Sequence, residues 1–462
     1  DITRFVADGK AHSLVVHAYS DTRTNLQPAG KQNVRMTQFE CMYTRCTGIW
    51  QTVWMEPVDA CGLERAQVLT DIDQSQVIVH PTFCSEGAAT LTVTMSDGKK
   101  VVATKTVPAQ NNSTIVLPVK KARLWSPADP FLYTLSYEVK DEAGKCIDQV
   151  SSYVGMRKIH VKGNKVYLNN EPFYQRLVLD QGFYPDGIWT APSDEALRHD
   201  IELSMQAGFN GARLHQKVFE PQFLSLCDRK GYIVWGEHAN WGLDINRESS
   251  LLNFLPEWSE TVERDFNHPA IIGWCPFNET WNQTSQAAHR ILRAVYDETK
   301  RLDPTRPVID VSGAYHEITD IYDQHDYDQN PESFGKSYTG YNGEEKSFNL
   351  FFKDKQVYIP HLPFFLSEFG GIKWISESNR SSAADNSWGY GDAPATEEEF
   401  FTRYEGLTAA LLNAPNIMGF CYTQLYDVEQ EVNGLYTYAR EKKFADYSRI
   451  IAANRKKAAI EE

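Results

Sequence analysis

Two stretches of this chain place a carboxylate where chemistry can use it. GWCPFNETWN, residues 273–282, ends an apolar run on Asn278-Glu279 among aromatic residues, and FLSEFGG, residues 365–371, sets Glu368 inside a second apolar run. A carboxyl beside an apolar wall ionises at a cost, so Glu279 is expected to stay protonated near neutral pH, which is the state a general acid needs. Two carboxyls across a sugar-sized gap can cleave a glycosidic bond. One protonates the leaving oxygen while the other supports the oxocarbenium-like carbon. Glu279 and Glu368 lie 89 residues apart in the chain, so a fold must bring them together.

Eight apolar runs suited to buried parallel strands supply that fold: 173–180, 209–215, 232–238, 271–279, 307–313, 320–327, 363–369 and 418–425. Amphipathic helical stretches lie between most of them, among them Ser193–Ala207, Ser285–Leu302, Thr396–Leu412 and Phe444–Ile460. The count predicts a (β/α)8 TIM barrel, since an open doubly wound sheet would be expected to carry a glycine-rich phosphate loop. The C-terminal strand ends then share one mouth: Asp180-Gln181, Arg213-Leu-His215, Glu237-His-Ala-Asn240, Asn278-Glu279, Asp310, His325-Asp-Tyr327, Ser367-Glu368 and Tyr422-Thr-Gln424. That mouth is rich in carboxylates and shows no triad-like Ser/His spacing and no metal set strong enough to name. A Schiff-base aldolase would need a lysine there, and only Lys217 and Lys373 are near. The connection 328–361, with Tyr338, Tyr341, Phe348, Phe351 and Phe352, lacks a helical period and reads as an active-site wall.

Ahead of the barrel the pattern is β: Ser13–Tyr19, Gly48–Trp54, Gln76–His80, Thr90–Thr94, Thr114–Val119 and Leu132–Val139 read as short strands. Residues 58–158 can close one immunoglobulin-like sandwich, whereas 1–57 read as the end of a β-domain whose beginning is missing. A severed sandwich exposes strand edges, so the chain is expected to be part of a longer one or to associate through that surface, as in a homo-oligomer. With 46 basic against 61 acidic residues the net charge is −15, which argues against nucleic acid and anionic membranes as partners. No run of membrane-spanning length appears. The eight cysteines are scattered, with no CxxC pair, and fit a reducing compartment, so a cytoplasmic location is the expectation.

On these residues the chain resembles glycoside hydrolase family 2, the relatives of β-galactosidase, β-glucuronidase and β-mannosidase. TRCTGIWQTVW (44–54) is similar to the end of that family's jelly-roll sugar-binding domain, YVGMR (153–157) to its sandwich-to-barrel junction and GFNGAR (208–213) to its second barrel strand. Asn278-Glu279 matches its acid/base motif and FLSEFGG its nucleophile strand. The resemblance implies three parts: a jelly-roll remnant over 1–57, an immunoglobulin-like sandwich over 58–158 and a catalytic barrel over 159–462. It implies a retaining mechanism with Glu368 as nucleophile and Glu279 as acid/base, Asn278 on the sugar 2-hydroxyl, Tyr327 orienting Glu368 and Arg213 holding it ionised. Asp180, His215, Asn240, His325 and Gln424 stand where substrate contacts are expected. Among the aromatics Trp241, Trp281, Trp374, Trp388 and Tyr422, Trp374 and Tyr422 follow barrel strands and are expected to stack on sugar.

Departures narrow the substrate. Leu214-His-Gln-Lys-Val218 replaces a Ser-His-Tyr-Pro, and 432–438 lacks the Asn-x-Lys that glucuronidases use on a carboxylate, which disfavours a uronic acid. Glu237-His-Ala-Asn-Trp241 does not carry a clear magnesium motif, so no metal and no cofactor are expected. The resulting expectation is a retaining exo-β-glycosidase of β-galactosidase type acting on carbohydrate. The alternatives are β-glucosidase, β-mannosidase or, further off, β-glucuronidase specificity, a catalytically silent carbohydrate-binding relative, or a metal-dependent hydrolase or aldolase.

Overall fold

The computed structural model describes residues 2–341, 359, 361–375 and 386–461. Seven antiparallel strands between Leu63 and Val154 form two sheets. Leu63–Asp71, Gln76–Phe83 and Ile115–Pro118 make the first; Thr90–Asp97, Lys100–Pro108, Tyr133–Lys140 and Cys146–Val154 make the second. Alternation decides which face is inside: Leu91, Val93 and Met95 point inward on one strand, Leu135, Tyr137 and Val139 on another, and Val77, Val79, Ile115 and Leu117 meet them from the opposite sheet. This is the immunoglobulin-like sandwich expected from the sequence.

The barrel follows. Seven parallel strands, Gln175–Asp180, Gly211–Leu214, Ile233–Glu237, Ile271–Cys275, Tyr322–Asp326, Phe364–Gly370 and Ile417–Thr423, share one sheet in which the last pairs with the first. The remaining strand, fifth in order, joins the fourth through Trp274–Val308 and through Phe277-Asn278 against Val311-Ser312. Phe364–Gly370 and Ile417–Thr423 are wholly buried, which is why they read as mostly apolar runs rather than alternating ones, whereas Tyr322–Asp326 is mostly buried yet polar. Inside, Trp235 stacks on Phe365 with ring centres 6.3 Å apart and donates its Nε1 to Gln175 at 2.7 Å. Helices open on side-chain caps, Ser193, Ser285 and Thr396 each accepting a first-turn backbone N–H.

Several expectations change. Ser13–Tyr19 and Gly48–Trp54 form no strand, because they find no partner strand among the described residues; Leu14, Val15, Trp54 and Met55 are instead exposed. The 328–361 connection contains a helix, Pro331–Thr339, capped by Asn330, and its Tyr338 and Tyr341 are buried beside Phe364 rather than lining a wall. Phe348, Phe351 and Phe352 lie outside the described residues. The last helix is shorter than expected, Ser448–Arg455, followed by a separate 3-10 turn at Ala459–Glu461. No helix among the described residues is long and apolar enough to cross a membrane.

Residues 25–44 have little regular structure, yet they are fastened over the barrel mouth. Ala29 and Gly30 donate backbone N–H groups to Trp241 O at 2.7 and 3.0 Å, Asp244 N donates to Asn25 O at 3.0 Å, and Thr44 N donates to Glu429 at 2.9 Å. Tyr43 is wholly buried, edge-on to Phe183. Gly30 permits the approach: its φ is +61°, and a Cβ there would lie 2.5 Å from Gln216 O. Gly30→Ala is therefore expected to lift this segment from the barrel. In limited proteolysis the variant should be cut within 25–44 at a protease dose that leaves the wild type whole.

Candidate active site

The second barrel strand buries Arg213 under the mouth, and four other strands meet on it. Its Nε donates to Glu237 Oε1 at 2.6 Å, one terminal nitrogen donates to Ser367 O at 2.8 Å and Glu368 Oε1 at 3.0 Å, and the other donates to Asn278 Oδ1 at 3.1 Å. The first of these terminal nitrogens also stands 3.4 Å from His325 Nε2. A buried guanidinium is tolerated only when its donors are matched in this way. Since Arg213 occupies Asn278 Oδ1, Asn278 Nδ2 is left buried with no protein acceptor among the described residues, a donor available to a ligand. Asn240 fixes the backbone beneath it, accepting from Asn278 N at 2.9 Å and donating to Asn278 O at 3.1 Å.

Glu368, at the end of strand seven, has both oxygens engaged: Arg213 on Oε1 and the Tyr327 hydroxyl on Oε2. Tyr327 is held from behind by Tyr390, whose ring stacks on it at 3.4 Å. His215 bridges Glu237 and the nucleophile candidate, with Nδ1 3.1 Å from Glu237 Oε2 and Nε2 3.8 Å from Glu368 Oε1. Burial pushes His215 well below its usual range, so it stays neutral.

Glu279 follows strand four with φ +49°, a left-handed conformation uncommon for a residue with a side chain and one that marks a site under constraint. Its Oε1 lies 2.7 Å from His325 Nδ1. An oxygen of Glu279, a ring nitrogen of His325 and an oxygen of Glu368 all lie within 4.8 Å of one another. The structure corrects the expectation that Glu279 rests protonated. Burial does push its carboxyl up, but the His325 hydrogen bond and charge, with Lys31 and Arg213, outweigh that and hold it below the usual range. His325 is correspondingly held above its own: burial lowers it, and Glu368 and Glu279 more than compensate. The proton therefore rests on the imidazole.

Behind His325 a second polar layer fixes it. Ser312 Oγ is 2.9 Å from His325 Nε2 and donates to Asp323 at 2.6 Å, and Ser367 also donates to Asp323. His316 sits between Asp310 at 2.7 Å and Asp323 at 3.1 Å; burial opposes its charge, but the two carboxylates raise it to about 10.

Other expected residues fall elsewhere. Asp180 turns to the Tyr426 hydroxyl and to Gly182 N, and burial raises its carboxyl to about 6, with no bond to the carboxylate pair. Tyr422 is fully buried between Phe369 and Tyr404, on the helix side of its strand, and Trp374 packs on Phe400 and Phe444; neither offers a face to sugar. A strand end has two sides, and sequence position does not say which one a ring takes. Gln424 donates to Asn433 at 2.8 Å, away from Arg213. Glu237 as the partner of Arg213, and Lys31, Glu431 and Tyr390 beside the carboxylates, were not foreseen. The first was legible as a strand-end glutamate, while the others stand in segments with no periodic pattern to place them.

Comparison with known proteins agrees with this architecture. The model of "Glycosyl hydrolases family 2" matches residues 63–157, and that of "Glycosyl hydrolases family 2, TIM barrel domain" matches 159–350, together more than half of the chain. A β-glucuronidase of Paenibacillus borealis is 26% identical over 335 residues, 67% of this chain and 54% of that one. A β-galactosidase of Vibrio cholerae is 33% identical over 214 residues, 44% of this chain and 20% of that one. The chain thus spans about half the length of the first relative and a fifth of the second. Among solved structures, a β-glucuronidase of Dictyoglomus thermophilum superposes with a TM-score of 0.68 at 20% identity, covering 86% of this chain and 69% of the other. A β-galacturonidase of Eisenbergiella tayi superposes with a TM-score of 0.64 at 18% identity, covering 86% and 73%. With its sandwich, its barrel and its paired glutamates, the chain belongs to glycosyl hydrolase family 2.

Proposed function

We propose that this chain is a retaining exo-β-glycosidase, β-galactosidase-like in its glycone, with Glu368 as nucleophile and Glu279 as acid/base. The observation that carries the proposal is the approach of the two carboxylates, with an oxygen of each inside 4.8 Å. Retaining enzymes keep their carboxyls about 5–5.5 Å apart, and inverting ones need roughly 6.5–9.5 Å to admit a water. The β-galactoside preference is supported by the 33% identical relative and by the missing Asn-x-Lys at 432–438.

The residues then act in sequence. Glu368, oriented by Arg213 and Tyr327, forms a bond to the anomeric carbon as the glycosidic C–O bond breaks, and Glu279 delivers a proton to the departing oxygen. That proton reaches Glu279 across the 2.7 Å contact from His325. In the second step Glu279, again a carboxylate, takes a proton from water, whose oxygen displaces Glu368 from the sugar. Asn278 Nδ2, free of protein partners among the described residues, is positioned for the sugar 2-hydroxyl.

A panel of p-nitrophenyl α- and β-glycosides, a glucuronide included, tests this directly. Release from a β-galactoside is expected, with the β-anomer as first product by NMR and a loss of at least about 10³-fold in kcat for Glu368→Gln. Release of the α-anomer first, or a Glu368→Gln variant as fast as the wild type, would overturn the assignment. His325→Gln tests the proton's location. Without the imidazole the proton must sit on Glu279, the weaker base of the two, so the alkaline limb of the kcat/KM profile, set in the wild type by the raised His325, should move to lower pH. An unmoved limb would show that His325 does not share this proton.

A further inference from the structure

The segment over the barrel mouth carries a lysine into it. Lys31 is only 6% exposed, and its ammonium stands 4.1 Å from the centre of the Trp241 ring. Trp241 in turn donates its Nε1 to Asn278 O at 3.1 Å, so Lys31 sits one side chain away from the residue preceding Glu279. Among the described residues the Lys31 ammonium makes no hydrogen bond and no ion pair. An ammonium has three donors, and a ring face satisfies its charge without satisfying them. Burial works against its protonation, yet Cys41, Glu431, Glu279 and Glu368 outweigh burial and hold it above the usual lysine range. It is a buried charged donor set on the segment that covers the barrel mouth, held against the Trp241 ring.

Glu431, also buried, pairs with Trp388, two residues before the Tyr390 whose ring stacks on Tyr327, the hydroxyl partner of Glu368. Tyr43, from the same segment as Lys31, donates to Glu431 Oε2, and Asn433 donates to its Oε1 at 2.9 Å. Gln424 anchors Asn433 in turn at 2.8 Å. Glu431 feels the charges of both Lys31 and Glu368, without coming to ion-pair distance of the lysine. A buried acceptor and a buried donor are thus tied to one segment over the barrel mouth without bonding each other. A hydroxyl group, which donates and accepts at once, satisfies both. An anion would satisfy Lys31 while meeting Glu431, Glu279 and Glu368 as like charges.

We propose that Lys31 and Glu431 bind hydroxyl groups of a neutral glycone, Lys31 donating and Glu431 accepting, and that this pair sets a preference for neutral over uronic sugars. The inference rests on the glycosidase reading above and assigns part of its specificity to a segment outside the barrel. A polar pair of this kind discriminates because a sugar lacking the matching hydroxyl leaves buried groups unpaired.

The test uses the whole chain and the neutral β-glycoside that the wild type hydrolyses fastest. Lys31→Met is expected to lower kcat/KM roughly 10- to 100-fold with an unchanged thermal midpoint, and Lys31→Arg to recover part of it. A series of monodeoxy substrates separates binding from a structural role. The wild type should lose rate on deoxygenation at the position Lys31 contacts, and Lys31→Met should lose nothing further there. If Lys31→Met keeps wild-type kcat/KM, or loses rate equally at every deoxy position, the inference fails while the glycosidase reading stands. A wild type that hydrolyses the β-glucuronide faster than any neutral β-glycoside overturns the inference and the β-galactoside preference, while the retaining-glycosidase reading stands. A wild type that releases product from no β-glycoside overturns the glycosidase reading and the inference with it.

Discussion

The buried guanidinium of Arg213 is the interaction on which the site depends. It joins strands two, three, four and seven by hydrogen bonds to Glu237, Asn278, Ser367 and Glu368 inside the barrel. A charge in that position is tolerated only because each neighbour is an acceptor, and each acceptor is oriented because the charge is there. The barrel's closure and the orientation of Glu368 are therefore one packing problem. That coupling lets the site hold its geometry before a sugar arrives, which is what electrostatic preorganisation requires.

How far the sequence exposes this depends on what each residue must satisfy. Barrel strands such as Ile271–Cys275 and Ile417–Thr423 were legible because a strand buried on both faces is mostly apolar, and the glutamates at the ends of strands four and seven interrupt such runs, whereas Tyr322–Asp326 buries polar side chains. The sandwich was legible by alternation. Ser13–Tyr19 and Gly48–Trp54 carry the same alternation and form no strand, because a pattern specifies a face and not a partner. Tyr422 and Trp374 show the complementary limit: both follow barrel strands, and both rings pack toward the helices. The helix at Pro331–Thr339 was hidden by its brevity, since nine residues hold too few turns to display a period.

The resting proton of Glu279 was misplaced for a related reason. Neighbours in sequence, Trp274, Phe277 and Trp281, suggested an apolar wall that would keep the carboxyl neutral. The decisive neighbour is His325, 46 positions away, and it reverses the sign. A burial term can be guessed from local composition, whereas a charge pair is a tertiary fact.

The pairings around His325 form an alternating array: Glu237, Arg213, Glu368, His325 and Glu279 in one direction, and Asp323, His316 and Asp310 behind. In such an array no charge changes alone. In the proposed mechanism Glu368 becomes an ester, so its negative charge is gone and the repulsion it exerted on the Glu279 carboxylate goes with it. Glu279 is then easier to keep ionised during the step in which that mechanism uses it as a base, and His325 keeps Glu279 as its remaining close carboxylate partner. On that mechanism the exchange of roles between acid and base follows from the chemistry at Glu368 itself.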